Sequence, residues 1–203
     1  MIEIFSNFII HFIQTTGYFG VFVLMTLESA LIPLPSEVTM PFAGSLVSSG
    51  VFNFWILAFV GALGNLAGSL LAFWLGYLGE EKVLQFIRTK GKYALIREKE
   101  FVHATSLFAS HGDVIVFVSR LLPAVRTYIS LPAGVTRMAK KKFVAYTFIG
   151  SLIWSVLLTY VGVVLGDNWR KITPLFHYFD VAVIATALIL AGYYLLRKLY
   201  RKN

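Results

Sequence analysis

Four charged residues lie well inside runs apolar enough for a bilayer, with a fifth, Asp113, at the edge of one. Arg120 and Arg126 fall inside the run 113–134, and Glu28 and Glu37 inside the run 18–48. An arginine at bilayer depth costs several kcal/mol or more, so intramembrane charges face a cavity or one another and usually mark function. A guanidinium presents a planar fork of donors that fits phosphate or carboxylate oxygens two at a time. Two forks opposite two carboxylates describe an anion site that is neutralised internally when empty, although such pairs rarely add net stability. Six residues apart, Arg120 and Arg126 fall on different faces of a straight helix, so a bend at Pro123 is needed to turn both into one pocket. Ser119 and Thr127 adjoin the arginines and join them as phosphate-binding candidates. Asp113, near the interface, joins Glu28 and Glu37 as a proton-coupling or charge-balancing acid. The plainer alternative is a structural lock, in which Arg120 and Arg126 merely pair with Glu28, Glu37 or Asp113.

The elements that must position these residues are broken helices. Pro33, Pro35 and Pro41 interrupt the first run; Pro123, Pro132 and Gly134 interrupt the second. A proline inside an apolar run frees backbone polar groups, which membranes tolerate only where they are buried in protein or line a wet cavity. Each run is therefore expected to be a re-entrant helical hairpin, the first with its tip near Pro33–Glu37.

Composition fits that picture. The chain has 203 residues and is 58% hydrophobic, with a mean hydropathy of +0.75. These values indicate an all-α polytopic membrane protein of one domain, 1–203. Cysteine is absent, which excludes disulfides, thiolate metal sites and cysteine nucleophiles. The net charge of +8 is unevenly spread: residues 1–81 hold no Lys or Arg, and the basic residues cluster at 82–99, 137–142, 170–171 and 197–202. With no basic segment at the N-terminus, Met1 is expected to begin the mature protein. The clusters place 79–111, 137–142 and the C-terminus in the cytoplasm.

Taken in order, residues 1–16 place Phe5, Phe8, Ile9, Phe12 and Ile13 on one helical face, a pattern that fits an interfacial helix or the start of a span equally well. The first repeat covers 18–78, with a long transmembrane helix over 54–78. Its Gly61, Gly64, Gly68 and Gly76 are read as close-packing positions, and Asn65 as an interhelical hydrogen-bonding residue. A cytoplasmic amphipathic connector follows over 79–111, split at Gly91. It holds His103 and His111, which no third ligand completes as a metal set. The second repeat covers 112–167, with a helix over 143–165, and a final span covers 179–196. Pro41–Gly44 answers Pro132–Gly134, and Phe59-Val-Gly61 answers Phe148-Ile-Gly150. The charge pattern runs the two long helices in opposite directions. Such inverted repeats are the mark of transporters whose broken segments meet near the midplane.

The motifs that carry these residues resemble the DedA family of bacterial membrane proteins, whose VTT (SNARE-associated) domain also occurs in eukaryotic relatives. They are Glu28 with Ile32-Pro33-x-Pro35-x-Glu37 and Pro41-x-Ala43-Gly44, then Gly112, Ser119-Arg120-x-x-Pro123-x-x-Arg126-Thr127 and Pro132-Ala133-Gly134. The resemblance covers roughly residues 17–170, and its Arg-x-x-Pro-x-x-Arg piece is the most specific part. It implies that Glu28, Glu37, Arg120 and Arg126 form the essential set. It also implies a role in moving lipids between leaflets, notably returning undecaprenyl phosphate inward, in dependence on the proton motive force. The chain departs from the family pattern at Asn65, where an Asp is common, and at Phe73-Trp74, where a Tyr is common.

The leading expectation is thus a bacterial inner-membrane flippase for a polyprenyl phosphate, with membrane lipids and protons as partners, no cofactor, no metal and no nucleic acid. Three rivals use the same residues differently: a proton-coupled exporter of a small solute or ion, a general phospholipid scramblase, and a membrane phosphatase or lipid-modifying enzyme. A non-catalytic scaffold is a further rival, disfavoured by the intramembrane charges.

Overall fold

The computed structural model describes residues 2–32, 36–90, 98–166 and 168. Among them all regular structure is helical: α1 (Ile2–Thr16), α2 (Tyr18–Ser29), α3 (Ser36–Ser48), α4 (Phe54–Lys90), α5 (Glu98–Arg120), α6 (Pro123–Tyr128), α7 (Ser130–Val135) and α8 (Lys140–Leu165). Pro33, Pro35, the span 179–196 and the basic C-terminus lie outside the described residues.

Local chemistry sets the helix ends. Asn53 caps α4, its Oδ1 accepting from the N–H groups of Trp55 at 3.0 Å and Ile56 at 3.2 Å, which satisfies two of the donors every helix start leaves open. From there α4 runs unbroken to Lys90, past the boundary expected at Leu78. Glu80, Glu81, Lys82 and Gln85 are good helix formers, and no proline intervenes before Gly91. At the other break Leu122 is extended (φ −110°, ψ 116°) and Pro123 opens α6, the position where its missing N–H is not needed.

The other expected breaks fall differently. Pro41 lies inside α3, which continues through it, at the loss of one hydrogen bond to the Glu37 carbonyl. Pro132 lies in the first turn of α7, where no N–H is required, and Gly134 lies within the same helix. α7 closes instead three residues later. Met138 N–H reaches the Ala133 carbonyl and Arg137 N–H the Gly134 carbonyl, each at 3.0 Å, with Arg137 left-handed at φ 52°. This is a Schellman closure. α2 ends the same way, Ile32 N–H on the Leu27 carbonyl at 3.2 Å and Leu31 at φ 72°.

Packing pairs the elements by exchange. α2 lies along α4 and α5 along α8, whereas α3 packs on α8 and α7 on α4; α4 and α8 also pack on each other. Glycines set the close approaches. A Cβ on Gly134 would overlap the Phe73 carbonyl, and one on Gly162 the Pro41 carbonyl. Gly64 and Gly68 similarly admit α2, at Phe22, Met25, Thr26 and Ser29. α1 buries Ile9 and Ile13 against α2 and α3; its 15 residues reach about 22 Å, short of a bilayer's apolar core of about 30 Å.

Two apolar clusters form, one around Met25, Met40, Leu57, Trp154 and Leu158, the other around Phe73, Val116, Ala133 and Phe143. The outside is apolar too, with Trp55, Ile56, Leu71, Leu75, Leu78, Ile153, Leu157 and Val164 exposed. Phe54–Gly79 and Lys140–Leu165 are each long and apolar enough to cross a membrane. Near the lower end of the first of these, Lys140 and Arg137 lie over the rings of Trp74 (4.0 Å) and Tyr77 (5.2 Å).

These approaches make a prediction. Gly162→Ala should destabilise the protein by about 1–3 kcal/mol, because only backbone could move aside. Gly79→Ala, with nothing within 4 Å, should leave stability unchanged or raised by about 0.5–1 kcal/mol. Thermal unfolding in detergent compares the two directly.

Candidate functional site

Arg126 sits in the last turn of α6, which packs on α2. Its Nη2 donates to Glu28 Oε1, at the end of α2, and to Ser36 Oγ, at the start of α3. Glu37 Oε1 stands 4.0 Å from the same nitrogen. The second run therefore plugs into the first. Arg126, Glu28 and Glu37 are 5%, 6% and 8% exposed, so they are shut off from bulk water and must neutralise one another. The Trp154 ring lies beneath the guanidinium at 5.2 Å, a cation–π contact that desolvation strengthens.

Arg120 takes other partners. Its Nη1 donates to Ser69 Oγ at 3.0 Å and to the Arg126 carbonyl at 2.7 Å; its Nη2 donates to Ser130 Oγ at 2.8 Å and Thr147 Oγ1 at 3.3 Å. Phe143 lies 5.7 Å away, and Gly150 leaves room for the Arg120 Cβ and Cγ. All four acceptors are neutral, which separates Arg120 from the carboxylates that hold Arg126. The shared arginine pocket expected from a Pro123 bend is thus not formed between the two guanidiniums. The reason is that the extended Leu122 offsets α6, and Arg120 reaches forward to one of the carbonyls that the short α6 leaves without a helical partner.

Ser119 turns its hydroxyl onto the Val116 carbonyl at 2.7 Å, and Thr127, half-buried, is not among the partners of either guanidinium. Asp113 is placed apart from Glu28 and Glu37. Seven residues before Arg120 on α5, it bonds Lys142 at 3.3 Å with its side chain 25% exposed, and that hydrogen bond holds its carboxyl below the usual carboxylate range. The start of α8 supplies the lysine there. Among the described residues no group of three His, Asp or Glu could hold a metal ion.

The structure adds residues that the sequence reading did not single out. Ser36 joins the Arg126 cluster, and Ser69, Ser130 and Thr147 form the Arg120 cage. Ser29 donates to Asn65 Oδ1 at 2.5 Å, the interhelical bond expected of Asn65. Ser69 follows Gly68 and Thr147 precedes Gly150, so hydroxyls beside close-packing glycines were a usable signal. Nothing in the sequence pointed to Trp154.

The VTT domain family model matches residues 32–164, a stretch that spans both halves of the charged cluster. The chain belongs to the VTT domain (DedA) family. It is 33% identical over 190 residues to the uncharacterized membrane protein YkoX of Bacillus subtilis (strain 168), covering 94% of this chain and 83% of that protein. It is 30% identical to an alkaline phosphatase-like protein of Lactococcus lactis subsp. cremoris (strain MG1363), over 89% of this chain and 85% of the relative. It is also 29% identical to the undecaprenyl phosphate transporter A of Bacillus subtilis (strain 168), over 94% of this chain and 93% of the relative. No solved structure matches. Relatives named as membrane proteins and two membrane-length apolar helices agree that this VTT domain is a membrane protein.

Removing one partner of a buried ion pair strands the other, at a cost of about 3–5 kcal/mol. Arg126→Ala should therefore unfold at clearly lower denaturant, and adding Glu28→Gln to it should restore more than half of the loss. Equal stability of the single and double variants would mean that Glu28 is not held by Arg126.

Proposed function

We propose that this VTT-domain protein is a flippase that returns a polyprenyl phosphate, undecaprenyl phosphate, to the cytoplasmic leaflet of the bacterial inner membrane. The observation that carries the reading is Arg126, buried and held by Glu28 and Glu37 from a different segment. A phosphate headgroup is the natural replacement for those carboxylates, since it offers the same fork its oxygens. Similarity to the Bacillus subtilis undecaprenyl phosphate transporter A, which aligns over nearly all of both chains, supports the same substrate class. Arg120 supports the site from behind, by fixing the Arg126 carbonyl.

Charge balance gives a coupling mechanism. Two arginines and two glutamates, all ionised, sum to zero. A lipid phosphate adds at least one negative charge, which a site buried away from bulk water opposes. Neutrality returns if Glu28 or Glu37 accepts a proton as the headgroup displaces it from Arg126. Each lipid would then carry a proton, and a gradient that drives protons inward would drive the lipid inward. The exchanged packing of α2 and α5, and of α3 and α7, on the two long helices supports reading the chain as inverted repeats with re-entrant hairpins meeting at this site. The basic clusters support a cytoplasmic C-terminus.

Liposomes containing undecaprenyl phosphate, with phosphatidylglycerol as control, test the proposal. Wild type should move the polyprenyl phosphate alone. Arg126→Lys should slow it roughly tenfold or more, because Lys keeps the charge but loses the second hydrogen bond. Glu28→Gln, which imitates the protonated acid, should still move lipid but lose its response to a pH gradient. Full activity of Arg126→Lys would argue against two-point phosphate binding. Movement of both lipids would indicate a scramblase, and movement of neither would favour the small-solute exporter. Because one relative is named alkaline phosphatase-like, released inorganic phosphate should be followed in parallel; its appearance would make the protein an enzyme.

A further inference from the structure

α8 carries hydroxyls at strict four-residue spacing: Thr147, Ser151, Ser155 and Thr159. That spacing puts all four on one helical face, and they are 0%, 3%, 0% and 0% exposed. The stripe covers about 18 Å of helix. Thr147 anchors one end in the Arg120 cage. Next to Ser155, Trp154 lies under Arg126. Ser155 faces Gly61 of α4, its Oγ 3.1 Å from where a Cβ on that glycine would sit; Asn65, one turn further along α4, bonds Ser29 beside Glu28. Thr159 packs on Gly44 of α3. One further turn on, Ser48 of α3 donates to the Val163 carbonyl at 3.2 Å, and this last contact is exposed.

A packing role explains the small size of these residues but not their polarity. Ser155 Oγ, Thr159 Oγ1, Asn65 Nδ2 and Glu28 Oε2 are all buried without a hydrogen-bond partner. Orphaned polar atoms in a protein interior carry an uncompensated desolvation cost, and buried water that bridges such groups is their usual resolution. Four orphans along one seam, leading from the carboxylate cluster toward an exposed end, describe a path.

We propose that the α8 hydroxyl stripe, with Asn65, forms a hydrated track along the α3–α4–α8 seam that connects the Ser48–Val163 end of the bundle to the Arg126–Glu28–Glu37 cluster. Water in this track satisfies the hydroxyls and carries protons to and from the two glutamates. The proton-carrying role rests on the proposed lipid-phosphate transport; the hydration does not.

The absence of native cysteine allows a direct test. Ser155→Cys and Thr159→Cys are near-isosteric single-cysteine variants, and Leu158→Cys, also 0% exposed but apolar in its packing, is the reference. Thiol labelling needs water to support the thiolate. In folded, monodisperse protein in liposomes, the small water-soluble reagent 2-aminoethyl methanethiosulfonate should modify both track positions at least about tenfold faster than Leu158→Cys. Rates equal to that of Leu158→Cys at both positions would overturn the track and leave the stripe a packing device. Lipid movement is measured on the same liposomes. Fast labelling without lipid movement supports the track while removing the transport reading, and lipid movement with slow labelling does the reverse.

Discussion

The ion pair between Arg126 and Glu28 ties the second apolar run of the chain to the first, and the surrounding architecture follows from the need to keep both charges out of water and in contact. A guanidinium buried among helices is tolerable only with its counter-charges in place. α2 must end beside the last turn of α6, Ser36 must open α3 on the same spot, and α8 must present Trp154 beneath. The glycine approaches of Gly64 and Gly68 to α2, and of Gly134 to α4, bring the broken segments close enough to meet.

The two arginines solve different problems. Arg126 is charge-matched, whereas Arg120 is a cation among hydroxyls and one carbonyl. The hydroxyls and the carbonyl take up donors of Nη1 and Nη2 without cancelling the charge, so Arg120 contributes a positive field to the cluster in front of it. Its bond to the Arg126 carbonyl also ends α6, a helix too short to be stable alone. Position and potential thus come from one side chain, and its loss would disturb both together.

Much of this was legible in the sequence, for reasons that differ by residue. Glu28, Glu37, Arg120 and Arg126 stood out because charge is rare in such apolar surroundings. α4 and α8 stood out because long apolar stretches have few alternatives. The break before Pro123 followed from proline stereochemistry, whereas Pro41 and Pro132 were absorbed into helices, since packing offsets a single missing hydrogen bond. Asp113 looked like the other acids by proximity to Arg120 in sequence, but the helical rise carries it to Lys142 at the start of α8. What the sequence could not convey was which arginine meets which partner, because that depends on the offset at Leu122 and not on residue type. The α8 hydroxyls were visible as letters, yet their four-residue period became meaningful only once Gly61 and Gly44 were found facing them.

The arrangement is also suited to change. α6 is a short helix held to its neighbours chiefly through Arg126 and its carbonyl, while α7 packs closely on α4 through Gly134 and Gly76, and α4 and α8 are long and pack on each other. A ligand that replaces the carboxylates on Arg126 would release α2 and α3 from α6 without disturbing the α4–α8 pair. Leu31, left-handed at the end of α2 and three residues from Glu28, costs roughly 1–2 kcal/mol, which the Ile32–Leu27 backbone bond that closes the helix offsets.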